Sequence, residues 1–203
     1  MNQQDFWRGE FGSDYIARNV DAALLASNIH FFSGILGHMG VLPETILELG
    51  PNVGMNVRAL KSLLPNAIFT GVEINESACK ELAKLKCKVV NSSIEEYKVV
   101  EKHDLVLTKG VLIHINPEHL EATYETLYES SREWVLLAEY YNPTPVGIPY
   151  RGHEDKLFKR DFAGEMLEKY KNLKLVATGF SYHRDQFPQD DITWFLMRKN
   201  EQC

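Results

Sequence analysis

Cysteine is scarce in this chain. The 203 residues hold three, Cys79, Cys87 and Cys203. An odd number without a CxxC pair argues against a disulfide framework and a zinc site, so no metal is expected. Long apolar runs are also missing: nothing approaches the roughly 20 consecutive apolar residues of a membrane-spanning helix. The opening MNQQDFWRGE lacks the charged-then-apolar layout of a secretory signal. Positive charge is not in surplus either. A formal net charge of -6 argues against a general nucleic-acid binder, because neutralising phosphates takes an excess of Lys and Arg. These absences leave a cytoplasmic protein with no nucleic-acid and no membrane partner as the expectation, its oligomeric state open. Internal repeats and low-complexity segments are absent as well.

The apolar share of 44% suffices for a full core at this length. A helical lead is expected over residues 1–40. It begins with Phe6, Trp7, Phe11 and Tyr15, and from about Asp14 the apolar residues Ile16, Val20, Leu24, Ile29, Phe32 and Ile35 recur at helical spacing until Gly37 and Gly40. From residue 41 to 203 strands and helices alternate. Strands are expected at Thr45–Leu49, Ala67–Ile74, Lys88–Asn91, Asp104–Thr108 and Glu133–Tyr140. Between them lie a helix with Val53, Val57, Leu60 and Leu64 on one face, a second capped by Asn75, and a third started by Asn116-Pro117. Tyr141–Arg160 reads as a long structureless connection, followed by a helix over about Asp161–Tyr170 and a closing pair of strands, Leu173–Ser181 and Ile192–Arg198. Such alternation predicts an α/β fold: a doubly wound, mostly parallel seven-stranded sheet, Rossmann-like, with an N-terminal helical cap.

In such sheets ligands bind at the carboxyl ends of the strands. The first strand runs into Glu48-Leu49-Gly50-Pro51-Asn52-Val53-Gly54, where Gly50 permits a tight turn and close ligand approach and Gly54 lets the helix pack on the strand. Glu73, at the end of the second strand with Ile74 beside it, can accept from both hydroxyls of a ribose. The unit reads as a nucleoside-cofactor site. A dinucleotide fingerprint needs glycine where Asn52 stands, to admit a pyrophosphate; S-adenosylmethionine carries no phosphate, so that position constrains it less. The acidic Glu48 just before the turn resembles the first motif of class I methyltransferases. Ser93 and Ile94 end the third strand, where the resemblance to class I methyltransferases implies the adenine contacts. Thr108, Lys109 and Gly110 end the fourth, beside the methionine portion. Core packing accounts equally well for Ile94.

The chain further resembles the methylases associated with pseudaminic acid biosynthesis in bacteria. The resemblance spans nearly the whole sequence. It rests on Phe6-Trp7-Arg8-Gly9-Glu10-Phe11-Gly12, Ile46-Leu47-Glu48-Leu49-Gly50, Leu107-Thr108-Lys109-Gly110-Val111-Leu112-Ile113-His114-Ile115-Asn116, Ala138-Glu139-Tyr140-Tyr141-Asn142-Pro143-Thr144-Pro145, Pro149-Tyr150-Arg151-Gly152-His153 and Phe187-Pro188-Gln189-Asp190-Asp191-Ile192-Thr193-Trp194. It implies a class I S-adenosylmethionine-dependent methyltransferase that works near surface-sugar or flagellin-glycan genes.

On the acceptor side, Tyr140, Tyr141, Tyr150, Arg151 and His183 are candidates for a small-molecule acceptor, a sugar or nucleotide-linked sugar. Aromatic rings suit a sugar face, and the planar fork of Arg151 suits an anion. Lys159 and Arg160 are expected to face solvent. An acceptor that must lose a proton profits from a nearby base. His114 is the first candidate and His153, Glu139 and His183 follow, although His114 can equally be structural. Tyr15, Arg18 and Asn19 are expected to close over the cofactor. Two alternatives stay open: a nicotinamide-dependent oxidoreductase, and a non-catalytic binding protein on the same fold.

Overall fold

The protein was analysed as a computed structural model that describes residues 22–150 and 153–200, without the side chains of residues 150 and 153–156. The described chain starts with α1 (Ala22–Leu36) and continues through β1 (Thr45–Leu49), α2 (Met55–Leu63), β2 (Ile68–Glu73), α3 (Glu76–Ala83), β3 (Lys88–Asn91) and β4 (His103–Lys109). After 3-10 turns at Leu112–His114 and Pro117–His119 come α4 (Leu120–Ser130), β5 (Ser131–Glu139), β6 (Val146–Tyr150), β7 (His153–Lys159), α5 (Phe162–Lys169), β8 (Leu173–Ser181) and β9 (Ile192–Lys199).

Seven strands form one sheet in the order β3-β2-β1-β4-β5-β9-β8. The first five are parallel, as expected for strands joined by helices. β9 runs antiparallel to both β5 and β8. Two sign changes return β8 to the direction of β5, so the loop 182–191 lies at the same carboxyl edge as the turns after β1, β2 and β4.

Side chains alternate across a strand, and this alternation builds two cores. On one face Ile46, Leu105, Leu107 and Leu136 pack with Phe31, Phe32 and Ile35 of α1 and with Leu60 of α2. On the other, Leu47, Leu49, Val106, Val135 and Leu137 pack with Leu120, Tyr124 and Leu127 of α4 and with Phe162 and Met166 of α5. Each fully buried side chain of this size contributes about 1.5–3 kcal/mol. The same rule puts Glu48 and Lys109 on the α1/α2 face and Glu139 on the α4/α5 face.

Caps agree in part with the sequence. Asn75 accepts from the Ala78 N–H at 3.0 Å, and Asp161 caps α5 through the Gly164 N–H at 2.7 Å. Asn116 does not cap by its side chain, which donates instead to Glu118 at 2.8 Å. The stretch after β5 is not structureless. β6 and β7 form a separate two-stranded antiparallel ribbon that packs on the 3-10 turn at Leu112–His114. Gly147 and Pro149 within its first strand hid the strand pattern, while Leu157, 5% exposed, anchors it in the core. Among the described residues no helix is long and apolar enough to cross a membrane.

Candidate cofactor site

The turn after β1 is set by two left-handed glycines. Gly50, at φ 76°, donates its N–H to Val72 O at 2.8 Å. A Cβ on Gly50 would stand 2.7 Å from Val111 Cγ2, so the turn also packs on the segment after β4. Gly54 begins α2 at φ 81°. Its missing Cβ makes room for Leu85 and Leu82, at 2.6 and 2.7 Å; the close neighbours come from α3 and its end, not from the strand. Asn52 between them is left-handed at φ 51°, a conformation that Asn tolerates, and its Oδ1 accepts from the Val53 N–H at 2.7 Å.

Glu73 ties this turn to the next one. Its Oε2 accepts from the Asn52 N–H and its Oε1 from the Asn75 N–H, both at 2.8 Å. Burial raises its pKa against the pull of these backbone donors. With its N–H engaged by Glu73, Asn52 does not offer a pyrophosphate the backbone donor that a dinucleotide site supplies at that position. Asn91, at the end of β3, fastens that strand here by donating to Glu73 O at 2.9 Å and Ile74 O at 3.1 Å. Ile74 is half-buried. Buried Ser93 exchanges hydrogen bonds with Glu96. Ile94 is 6% exposed within the α4/α5 core, so its packing role is realised.

Glu48 sits at 2% exposure. Its Oε1 accepts from Asn56 Nδ2 at 2.6 Å, whereas Oε2 is buried without a partner among the described residues. Burial pushes the Glu48 carboxyl up to about 7, opposed by Asn56 and Lys109. Lys109, half-buried with its Nζ 5.7 Å from the Phe31 ring centre, is held below the usual lysine range by burial, against the attraction of Glu48, Asp190 and Glu139. Thr108 is fully buried. Beside it Gly110 leaves open space, since a Cβ there would meet nothing within 4 Å.

Glu139 is engaged by backbone. Its carboxylate accepts from the N–H groups of Val111 and Leu112 at 3.1 Å and of Ile113 at 3.4 Å. These bonds hold the turn that carries His114, which is half-buried. Burial pushes Glu139 up to about 7 in spite of them.

The acceptor-side candidates separate. Half-buried Tyr140 packs against both cores with Lys159 Nζ 5.1 Å from its ring centre, and Tyr141 is 41% exposed with its ring 5.9 Å from that of Phe195. Tyr150 and His153 pair across the end of the ribbon, and their side chains lie outside the described residues. So do Tyr15, Arg18, Asn19 and Arg151. His183 is exposed in the loop 182–191, with Nδ1 2.9 Å from both carboxylate oxygens of Asp191. Arg160 does not face solvent as expected: its Nε donates to Glu165 at 2.6 Å, and Glu165 accepts from Tyr124 OH at 2.7 Å. The half-buried Arg160 is held there by a charge-assisted pair with the half-buried Glu165. Sequence reasoning also missed Asn28, Asn56 and Gln189. The signal for Asn28 was present, since it interrupts the buried stripe of α1 between Leu24 and Phe32. Among the described residues no cluster of three or more His, Cys, Asp or Glu could hold a metal.

No family model matches the chain, and no curated relative matches it. Solved structures do. The chain is similar to the plantazolicin methyltransferase BpumL in complex with SAH at TM-score 0.68 and 15% identity, over 98% of this chain and 94% of that one. It is similar to the magnesium protoporphyrin IX methyltransferase ChlM of Synechocystis PCC 6803 with bound SAH at TM-score 0.68 and 16% identity, over 98% and 100%. The glycopeptide N-methyltransferase MtfA complexed with S-adenosyl-L-methionine matches at TM-score 0.65 and 13% identity, over 86% and 93%. With the strand order above, this likeness shows that the chain has the class I S-adenosylmethionine-dependent methyltransferase fold.

Proposed function

We propose that the chain is an S-adenosylmethionine-dependent methyltransferase acting on a small molecule, a sugar or nucleotide-linked sugar of the pseudaminic acid kind. The observation that carries the cofactor is the Glu48–Gly50–Glu73 edge. A buried carboxylate oxygen without a partner, open space at Gly110 and a second carboxylate across the turn suit a cationic, phosphate-free nucleoside. S-adenosylmethionine supplies an electrophilic methyl group on a sulfonium. Glu73 would take the ribose hydroxyls, for each of its oxygens can accept more than one hydrogen bond. Ile74, Ser93 and Ile94 line the adenine side. Thr108, Lys109 and Gly110 flank the methionine portion, near the free oxygen of Glu48. Tyr15, Arg18 and Asn19 would cover the cofactor.

The remaining task of this chain is to hold the acceptor in line with the methyl group. Tyr141, Tyr150 and Arg151 would supply aromatic faces and an anion fork, and Tyr140 would form the floor at the end of β5. His114 or His153 would take the acceptor proton. Glu139 holds the turn beneath them. A reducing compartment suits the free thiols of Cys79 and Cys87.

A thermal-shift titration with S-adenosylmethionine, S-adenosylhomocysteine and NAD tests the cofactor. At one hundred times its dissociation constant a ligand stabilises by about 2.7 kcal/mol. Stabilisation by the two sulfur nucleosides but not NAD is expected; stabilisation by NAD alone, or by none, overturns the reading. Turnover assays on carboxylated and nucleotide-linked sugars then test the acceptor class.

A further inference from the structure

Gln189 is a loop residue with only 6% of its surface exposed. Its Nε2 donates to Asn28 Oδ1 at 3.1 Å. Asn28 Nδ2 donates to Asn56 Oδ1 at 3.1 Å, and Asn56 Nδ2 donates to Glu48 Oε1 at 2.6 Å. A single file of polar side chains therefore runs from the loop through α1 and α2 to the end of β1. Its direction is set by one end. Glu48 Oε1 accepts there, as the unprotonated oxygen of a carboxyl does in either charge state, so Asn56 presents its NH2 to Glu48 and its carbonyl to Asn28. Asn28 is then obliged to do the same toward Gln189. Buried rows of this kind polarise one another and tolerate a missing member badly. The loop has a second hold on α1, where Phe187 stacks on His30 at 4.8 Å, and its neighbour Asp190 acts on Lys109.

We infer that Gln189 and Asn28 are positioning residues: through Asn56 they tie the seating of the loop 182–191, at the carboxyl edge of the sheet, to Glu48, whose second carboxyl oxygen is buried without a partner among the described residues. Filling that oxygen with a donor group of the cofactor and seating the loop then favour each other. The inference rests on the cofactor reading above for its occupant, and on the row itself for the coupling.

Hydrogen exchange by mass spectrometry on the full chain, free and with saturating S-adenosylhomocysteine, tests both parts. The nucleoside should slow exchange at the amides of 182–191. Gln189→Leu should abolish that slowing and weaken S-adenosylhomocysteine about tenfold, because coupling between sites is reciprocal. Adding Asn28→Leu should then weaken it little further, since both act through one link. A merely structural loop contact would lower the melting temperature while the affinity and the slowing persisted, and that result overturns the proposal. Should S-adenosylhomocysteine not bind the unaltered chain, the cofactor reading fails by itself. The row is then judged in the free protein, where Asn56→Leu must speed exchange in 182–191, a segment with no sequence proximity to α2. Unchanged exchange there overturns the coupling.

Discussion

The carboxylate of Glu73 and the backbone N–H of Asn52 meet at 2.8 Å, so the side chain proposed to hold a ribose also shapes the turn that would face it. Glu73→Ala removes both functions at once. It should weaken S-adenosylhomocysteine binding by about 1–3 kcal/mol, the usual range for a lost hydrogen bond to a charged group, and lower the melting temperature of the free protein. Calorimetry with unchanged affinity would remove Glu73 from the site.

Gly50 carries a steric load that its place in the motif did not reveal. Sequence reasoning expects Gly50→Val to abolish binding and spare the fold. With φ at 76° and Val111 Cγ2 2.7 Å from an added Cβ, the structure instead expects loss of stability as well. Gly50→Ala should cost about 1–3 kcal/mol, part from the left-handed backbone. Combining it with Val111→Ala should return the steric part and leave the backbone part. Urea denaturation of the four chains in this cycle checks it, and strict additivity would be the contrary result.

Glu139 gives the fold a pH dependence. A carboxyl raised on folding from 4.5 to about 7 keeps its proton in the folded chain where the unfolded chain has lost it. Its contribution to stability is whole below the unfolded value and is lost as the pH rises through the folded one. The loss amounts to about 3 kcal/mol at most, from 1.36 kcal/mol for each pH unit. Glu48, also raised to about 7, acts in the same direction. Glu73, raised by burial too, adds to the same fall, so Glu139→Gln should reduce the loss of unfolding free energy between pH 5 and pH 8 without abolishing it. Denaturation curves at those two pH values decide it; an undiminished fall contradicts the role given to Glu139.

The ribbon hangs on Leu157. Truncation of this buried side chain to Ala should cost about 2 kcal/mol or more. Because the ribbon stands outside the seven-stranded sheet, the loss should appear as protease cleavage within residues 146–159, with S-adenosylhomocysteine affinity retained. Cleavage spread evenly over the chain would show that the ribbon is not a separate unit.

Much of the fold was legible because alternation and helical spacing are local signals. Lys88–Asn91 and Leu173–Ser181 match the expected strands residue for residue, and the acid at the end of β2 lies where the strand pattern put it. What stayed hidden was non-local. The ribbon is short, its first strand carries Gly147 and Pro149, and it packs on a turn formed far from it in sequence. Asn56 and Gln189 gain their partners only after α2 and the β8–β9 loop come together against α1, so nothing in their own neighbourhoods marks them. Arg160 was misjudged although its partner is near in sequence: Glu165, in the first turn of α5, takes its guanidinium.

Strand β9 is wedged between β5 and β8, although β8 precedes it in the chain. During synthesis β1 to β5 can pair in turn as each emerges, but β8 has no place in the sheet until β9 follows. Until then β5 presents an open edge of unpaired backbone groups, the kind of template on which other chains assemble. A transcript cut short before Ile192 would therefore yield not a slightly smaller protein but an aggregation-prone one, and the nascent sheet is at its most vulnerable just before β9 arrives.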